Sequence, residues 1–188
     1  MKMKLSKFFL ALLICMTATA ALAANPALPQ AKAPVFITSF GQSQDSNFVN
    51  LLAGRVKLER THKVIGTAED PAWSGSDTFI AVIGGSSKGL GSAGLNISTE
   101  VKRCDDLMKA ARGQKKYIIG MHIGGVDRRG PTSEAFLHYA GDVDYMIVKA
   151  EGNQDGYFTK LCREKNVPLY IIENTKELET VLKKIFGL

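Results

Sequence analysis

The sequence predicts an α/β protein, a three-layer αβα sandwich around a mostly parallel, doubly wound sheet of five or six strands. Two observations support this fold class. Short apolar, largely β-branched runs alternate along the chain with stretches whose apolar residues recur at helical spacing. About 155 residues follow an N-terminal leader and linker, which suits one domain with one core. We expect a strand order near 2-1-3-4-5.

The first 23 residues have the three parts of a secretory signal peptide. A basic start, MKMKLSK, precedes an apolar stretch at 8–16, and Ala21–Ala23 ends the segment with a small-x-small pattern. Cleavage between Ala23 and Ala24 is therefore predicted, which would make the protein periplasmic or secreted. The alternatives are an uncleaved anchor, for which the apolar stretch is short, and lipoprotein processing at Cys15, where the preceding residue is large.

Charge and cysteine content narrow the classes of partner. Removing residues 1–23, which hold three lysines and no acid, lowers the 24 basic residues to 21 against 18 acidic ones, a net charge of +3. That is an ordinary soluble surface without a basic stripe, so we expect no nucleic-acid partner and no stable membrane insertion after cleavage.

Cys104 and Cys162 fall on the apolar faces of predicted helices, which favours buried free thiols over a disulfide. No CxxC or Cys/His spacing suggests a metal site.

The first half of the chain alternates strands with helices. A Pro/Ala-rich segment without periodicity, 24–33, is predicted to be a linker, and 34–188 the domain. Apolar runs predict three strands and periodic segments predict two helices, in the order Val35–Ser39, Phe48–Leu58, Lys63–Thr67, Phe79–Ile83 and Ser98–Arg112. Asp45 or Ser46 is the expected N-cap of the first helix. Residues 70–77 are too few for a full crossover helix, so we expect the chain to return over a sheet end with Trp73 as an apolar plug.

The second half continues the alternation to the C-terminus. The strands and helices are predicted at Tyr117–Ile123, Pro131–Ala140, Val143–Val148, Gly156–Lys165, Leu169–Ile172 and a last helix opened by Asn174. A proline suits the first turn of the Pro131 helix. Asn174 with Glu177 three residues later resembles a capping box, and an apolar stripe from Leu178 to Phe186 indicates the buried face of the last helix.

Glycines and short polar residues are concentrated where predicted strands end, in the loops 39–46, 84–89, 124–130 and 151–156. In an open parallel sheet these loops lie on one edge, where ligands bind near the point at which the strand order reverses. Ordinary turn chemistry is the alternative for each loop taken alone. The candidate ligand-binding residues are Ser39, Gln42, Ser43, Gly84, Gly85, Ser86, Ser87, Lys88, Gly89, His122, Gly125, Asp127, Arg128, Glu151 and Asn153.

The donors at this edge favour an anionic ligand. Glycine N–H groups, serine hydroxyls and the cations Lys88, Arg128 and Arg129 would suit a carboxylate or phosphate. Nearby carboxylates at Asp127, Glu151 and Asp155 offset part of that charge, so a zwitterion, a polyol or a metal-bridged ligand stays open.

His122 is the one histidine placed for chemistry. Alternation puts Ile118, Gly120 and His122 on one face of a strand, with the histidine at its carboxyl end, where it could serve as a general base or ligand contact. The alternative is a hydrogen-bonded structural histidine under a helix. His62 and His138 are expected at the surface or on a helix flank.

The glycine-rich stretch 84–94, GGSSKGLGSAG, resembles the TGxxxGxG loop of short-chain dehydrogenases, and it also satisfies GxGxxG. Tyr145 and Lys149 match that family's YxxxK. The resemblance implies a nicotinamide cofactor, but Gly84 replaces the threonine and the loop follows the third predicted strand. YMIVK is also strand-like, which separates the tyrosine and lysine by about 13 Å. We therefore predict no cofactor.

From about Val35 to Phe186 the chain resembles a set of exported bacterial proteins that form a family of unknown function. The segments carrying the resemblance are VFITSFGQS, VIGGSSKGLGSAG, GMHIGG and KAEGNQDGYFTKL. It implies secretion and a small αβα fold, and it brings no activity or site residues with it.

Taken together, these features predict an exported protein that binds a small polar or anionic ligand at the glycine-rich edge, as an accessory to uptake or sensing with a membrane partner. A rival is a hydrolase or transferase with His122 as base and Ser86, Ser87 or Asp127 beside it, which requires a serine Oγ within hydrogen-bond reach of His122 and an acid behind it. A third is an interaction module, marked by an exposed apolar patch away from this edge.

Overall fold

The computed structural model describes residues 25–188. The predicted signal peptide, its cleavage site before Ala24, and Cys15 lie outside the described residues. Within the described part, no helix combines the length and apolar character needed to cross a membrane.

A six-stranded, fully parallel sheet forms the middle layer, which confirms the predicted α/β class. The strands are β1 Val35–Phe40, β2 Arg60–His62, β3 Thr78–Ile83, β4 Tyr117–His122, β5 Tyr145–Lys149 and β6 Leu169–Ile172. They lie in the order β2-β1-β3-β4-β5-β6, so the order predicted for the first five is confirmed. From β1 the chain adds β2 on one side, and from β3 it adds the remaining strands on the other side. The loops after β1 and β3 therefore lead to opposite faces of the sheet and leave a crevice between them.

Helices cover both faces. They are α1 Asp45–Arg55, α2 Pro71–Ser74, α3 Ser87–Ser92, α4 Ile97–Gly113, α5 Pro131–Leu137, α6 Tyr157–Lys165 and α7 Glu177–Phe186. Helices α1 and α7 bury residues such as Leu52 and Leu182 against one face of the sheet. Helices α2, α4, α5 and α6 bury Trp73, Leu107, Phe136 and Phe158 against the other. Because strand side chains alternate, each strand except β2 contributes to both cores.

Helix α1 begins earlier than predicted. It starts at Asp45 instead of Phe48, and its N-cap is Gln44, which makes no capping hydrogen bond through its side chain. The prediction of Asp45 or Ser46 as N-cap was therefore wrong. Asp45 instead occupies the first turn, where a carboxylate stabilises the positive end of a helix.

Strand β2 is shorter and earlier than predicted, so its placement at Lys63–Thr67 was wrong. The chain leaves the sheet after His62 because the Thr38 side chain replaces the ladder: its hydroxyl donates to the carbonyl of Val64 at 3.1 Å and accepts from the N–H of Gly66 at 3.0 Å. The apolar pair Val64 and Ile65, which suggested a strand, lies in this departing loop.

Trp73 is buried as predicted, with no exposed surface. Its ring packs edge-on against Phe36 and Phe79, at centroid distances of 5.3 and 5.1 Å. The connection from β2 to β3 does not pass over a sheet end. It crosses the face of β1, where a Cβ on Gly66 would lie 2.6 Å from the Phe36 ring, and it contains the single turn of α2.

Residues 25–33, predicted as a linker, have no regular secondary structure but pack on the domain. The Asn25 side chain accepts from the N–H of Ile171 at 2.7 Å and donates to its carbonyl at 2.9 Å. Further along, the N–H of Ala31 donates to the carbonyl of Ile185 at 2.9 Å. The segment thus runs along the free side of β6 and α7.

Cys104 and Cys162 are both buried free thiols, as favoured from the sequence. Burial raises the pKa of the Cys162 thiol to about 11 and also raises the pKa of Cys104. Both side chains therefore stay protonated and pack as small apolar groups.

Candidate functional site

The loops that follow β1 and β3 meet at the carboxyl edge and are tied together by backbone hydrogen bonds. The N–H of Ser86 donates to the carbonyl of Gly41 at 2.8 Å, and the N–H of Ser43 donates to that of Gly84 at 3.2 Å. Gln42 and Gly85 form an isolated antiparallel bridge between the same loops. The switch point of the sheet therefore has a fixed rim.

Beside this rim lies a cleft of about 480 Å³, which we call the Lys88 cleft. Its lining comes from the segments after β1, β2 and β3: Gln42, Gln44, Val64, Ile65, Ser86, Lys88, Gly89, Ser92 and Ala93. The volume is in the range of small-molecule sites. The lining contains one cation and no carboxylate, and Lys88 forms no ion pair among residues 25–188.

Four of the predicted residues line this cleft, namely Gln42, Ser86, Lys88 and Gly89. Ser86 caps α3, because its Oγ accepts from the N–H of Gly89 at 3.0 Å. The prediction of a loop through Gly89 was wrong after Ser86, since α3 begins at Ser87. Gly89 is required there because any Cβ would collide with the carbonyl oxygen of Gln42. The hydroxyl hydrogen of Ser86 remains free to donate to a ligand.

Other predicted residues hold loops together instead of facing the cleft. Ser39 and Ser43 are fully buried, and the hydroxyl of Ser39 donates to the carbonyl of Ser43 at 3.4 Å. Ser87 shares a 2.6 Å hydrogen bond with Thr132. The N–H of Gly85 donates to Ser133 Oγ at 2.9 Å. The hydrogen bonds to Thr132 and Ser133 fasten the loop after β3 to the start of α5.

Further predicted residues belong to a polar cluster over the ends of β3 and β4. Asp45 Oδ2 lies 3.4 Å from Arg128 Nε. Both atoms are buried, and within the described residues neither forms a hydrogen bond. A Cβ on Gly84 or Gly124 would lie 3.1 or 2.5 Å from Asp45 Oδ2. The glycines of these loops thus leave room for the protein's own charged side chains.

His122 is fully buried at the end of β4. Its Nδ1–H donates to the carbonyl of Ile83 at 3.0 Å, which fixes the tautomer, and its ring packs 4.8 Å from that of Phe158. Burial lowers the pKa of His122, so the ring is neutral at pH 7. Its Nε2 is buried with no hydrogen-bond partner among the described residues, and it lies 2.7 Å from where a Cβ on Gly152 would be. Within residues 25–188, neither a serine nor a carboxylate is hydrogen-bonded to it.

The charged and polar side chains near His122 also form hydrogen bonds and ion pairs within the protein. Arg129 donates to both Asp155 oxygens at 2.8 and 2.7 Å, and this bond lowers the pKa of Asp155 to about 2. Glu151 accepts from Lys149 at 2.8 Å. Asn153 Oδ1 accepts from the N–H of Phe158, in the first turn of α6, at 2.9 Å. The remaining members of the predicted set, Gly125 and Asp127, lie in the 3₁₀ turn 125–128.

The structure also contains a feature near the cleft that sequence reasoning missed, a buried carboxylate at Glu100. Its Oε1 accepts from the N–H of Gly41 at 2.9 Å and from Gln42 Nε2 at 3.0 Å, and it pairs with Arg103 at 2.7 Å. Arg103 in turn donates to the carbonyl of Gly66 at 2.7 Å. The signal was available: Glu100 lies four residues before Cys104, on the apolar face of its helix. Helix α4 thereby fixes Gln42, which forms the floor of the Lys88 cleft.

Other surface features differ from this cleft. Larger clefts, of about 680 Å³ at the amino edge and 700 Å³ beside α7, combine basic with acidic residues. Large exposed apolar side chains occur mainly in segments that follow β1 to β4: Phe48, Leu51, Ile65, Ile97 and Val126. Residues 25–188 contain no group of three or more His, Cys, Asp or Glu side chains arranged to hold a metal ion.

Comparison with known proteins identifies a family whose function is unknown. Residues 32–186 match the model of a domain of unknown function (DUF6305). No curated protein and no solved structure matches the chain.

Proposed function

The chain belongs to this family of unknown function, and we propose that it binds a small anionic molecule in the Lys88 cleft. The anion would pair with the Lys88 ammonium at the β1/β3 switch point. We assign the protein a binding role, as an accessory to uptake or sensing.

The observation that supports the proposal is that Lys88, an exposed cation lining the cleft, forms no ion pair within residues 25–188. Three cations were candidates from the sequence, but Arg128 faces Asp45 at 3.4 Å and Arg129 pairs with Asp155 at 2.7 Å. A ligand carboxylate or phosphate would have to displace those internal partners. An anion that binds Lys88 displaces no such partner, and none of the described carboxylates lines its cleft. Charge-assisted hydrogen bonds to an ammonium are among the stronger polar contacts.

Neutral donors around Lys88 suit the remaining oxygens of the same anion. The Ser86 hydroxyl hydrogen is free while its oxygen caps α3. Gln44 Oε1 accepts from Asn47 at 2.6 Å, which leaves the Gln44 amide N–H groups available toward the cleft that it lines. One ammonium with two neutral donors matches the acceptor sites of a carboxylate.

Isothermal titration with a panel of carboxylates, phosphates and amino acids tests the proposal. We expect at least one carboxylate or phosphate to bind the wild-type protein, and Lys88→Gln to weaken it about tenfold or more, from roughly 1.5–3 kcal/mol for a hydrogen bond to a charged group. Lys160→Gln, at an exposed lysine of α6, is the matched control. The proposal fails if no anion binds or if both variants bind equally well.

We also propose that the protein is exported, on the strength of the predicted signal peptide. The predicted cleavage site precedes Asn25, so the two hydrogen bonds of Asn25 to Ile171 would be kept in the mature chain. Intact-mass measurement of protein from fractionated cells should give a chain beginning at Ala24 outside the cytoplasm. A full-length mass in the cytoplasmic fraction would contradict it.

A further inference from the structure

We propose that the anion bound in the Lys88 cleft is amphipathic: a carboxylate with a short apolar tail, as in an alkanoate or an aryl-substituted acetate. This inference rests on the proposed function and goes further by naming the ligand class. It follows from the unlike chemistry of the two sides of the cleft.

The two sides come from strands that are not neighbours. Lys88 stands on α3 after β3, whereas Val64 and Ile65 lie in the loop after β2, and β1 runs between them. Two strand spacings separate the sides by roughly 10 Å of backbone. Once side chains fill part of that distance, a single flat or unbranched molecule fits, with its charged end at Lys88 and its other end at Ile65.

The side opposite Lys88 is apolar and exposed. Ile65 leaves 46% of its surface uncovered, and Val64 beside it is half-buried. Their backbone is held in place, because the carbonyl of Val64 accepts from both Thr38 Oγ1 at 3.1 Å and Gln42 Nε2 at 3.4 Å. An exposed isoleucine on an anchored loop in a cleft offers apolar surface that a ligand tail can remove from water at little conformational cost.

The floor between the two sides is also rigid. Gln42 adopts a positive φ of 61°, a conformation that non-glycine residues seldom adopt. The surrounding structure enforces it through the bridge to Gly85 and the hydrogen bond of the side chain to the buried Glu100. A preorganised floor means that little binding energy is lost in ordering the protein.

These features disfavour a compact, fully polar anion. Inorganic phosphate or acetate would contact Lys88 and the neighbouring hydroxyls but leave Ile65 and Val64 in water. A tail that reaches them removes apolar surface from water, and each methylene buried tightens binding about two- to fourfold. Affinity is therefore expected to rise with chain length until the cleft is filled.

A homologous series of ligands tests the inference by calorimetry on the protein. The probes are acetate, butyrate and hexanoate, with hexanamide as the uncharged partner of hexanoate and inorganic phosphate as the polar anion. We expect hexanoate to bind tightest and hexanamide at least tenfold more weakly than hexanoate. Ile65→Ser should flatten the dependence on chain length, while Ile97→Ser, at an isoleucine of similar exposure (43%) outside the cleft, should preserve it.

The outcomes separate the inference from the proposed function. If acetate or phosphate binds as tightly as hexanoate and Lys88→Gln abolishes binding, the anion site stands and the apolar tail is refuted. If Ile65→Ser leaves the chain-length dependence intact, the tail lies elsewhere and the inference is refuted. If no member of the series and no other anion binds, both proposals fail.

Discussion

The buried carboxylate of Glu100 offers the sharpest test of how α4 supports the cleft. The substitution Glu100→Gln keeps the side chain's shape but removes its charge and exchanges one oxygen for an NH₂ group. In the wild-type protein both oxygens accept: Oε1 from Gly41, Gln42 and Arg103, and Oε2 from Arg103 Nε at 2.8 Å. The new NH₂ group must therefore point at an N–H group that had donated to the carboxylate, so that two donors face each other. Arg103 also loses its counter-charge.

The cost follows from the burial of the pair. The Glu100 side chain is fully buried and that of Arg103 is only 10% exposed, so solvent screens the interaction little. Removing one partner of a buried ion pair costs about 3–5 kcal/mol, because the other charge is left uncompensated. Against a total stability of about 5–15 kcal/mol this is a large fraction. For a domain of this size it corresponds to a fall in Tm of roughly 6–20 °C.

Urea unfolding followed by circular dichroism and by the fluorescence of Trp73 measures this loss. Asp106→Asn is the control, because Asp106 forms a surface ion pair with Lys102 while 63% exposed, and such pairs contribute at most about 0.5 kcal/mol. Adding Arg103→Met to Glu100→Gln should recover at least about 1 kcal/mol, since the orphaned charge is gone. A loss below about 1 kcal/mol for Glu100→Gln, or one equal to that of Asp106→Asn, would refute the reasoning.

Three more predictions follow from glycines, charge and thiols. Gly124→Ala should cost about 1–3 kcal/mol in urea unfolding, because its Cβ would lie 2.5 Å from the Asp45 carboxylate, whereas Gly91→Ala, with open space around it, should be neutral or stabilising. Asp155, whose pKa falls to about 2 through its arginine partner, contributes stability above its unfolded pKa of about 4 that disappears as pH falls toward 2. The stability difference from Asp155→Asn should therefore be small, below about 1 kcal/mol because the carboxylate is exposed, and should shrink across that window; a difference constant with pH would contradict this. Cys104 and Cys162 should react with Ellman's reagent at pH 8 only after unfolding, since both thiols are buried with raised pKa values; fast labelling of the native protein would show that the helices open.

Much of the fold was predictable because hydrophobic periodicity is a local property. The strand β3, the helix α4 and the strand β6 lie within one or two residues of their predicted bounds. The start of α1 and the position of β2 were wrong because their ends depend on distant groups. The hydroxyl of Thr38 draws the chain away from the sheet at Val64, and nothing in the neighbouring sequence reveals that contact.

The candidate site was predictable as an edge but not as a set of contacts. Alternation of strands and helices places Gln42, Ser86, Lys88 and His122 at the carboxyl ends of parallel strands, whatever the details of packing. Which of them face a cleft and which are buried depends on how the loops cross. His122 illustrates this, because the loop that carries Gly152 covers its Nε2.

The sequence by itself determined the layered α/β architecture and the concentration of glycines and polar groups on one edge. These follow from patterns that repeat within ten or twenty residues. Only the tertiary structure decided how the charges at that edge are distributed: Arg128 faces Asp45, Arg129 pairs with Asp155, and Lys88 lines a cleft and forms no ion pair within residues 25–188. Ion pairing depends on distances of a few ångströms between residues remote in sequence, so it emerges only when the chain has folded.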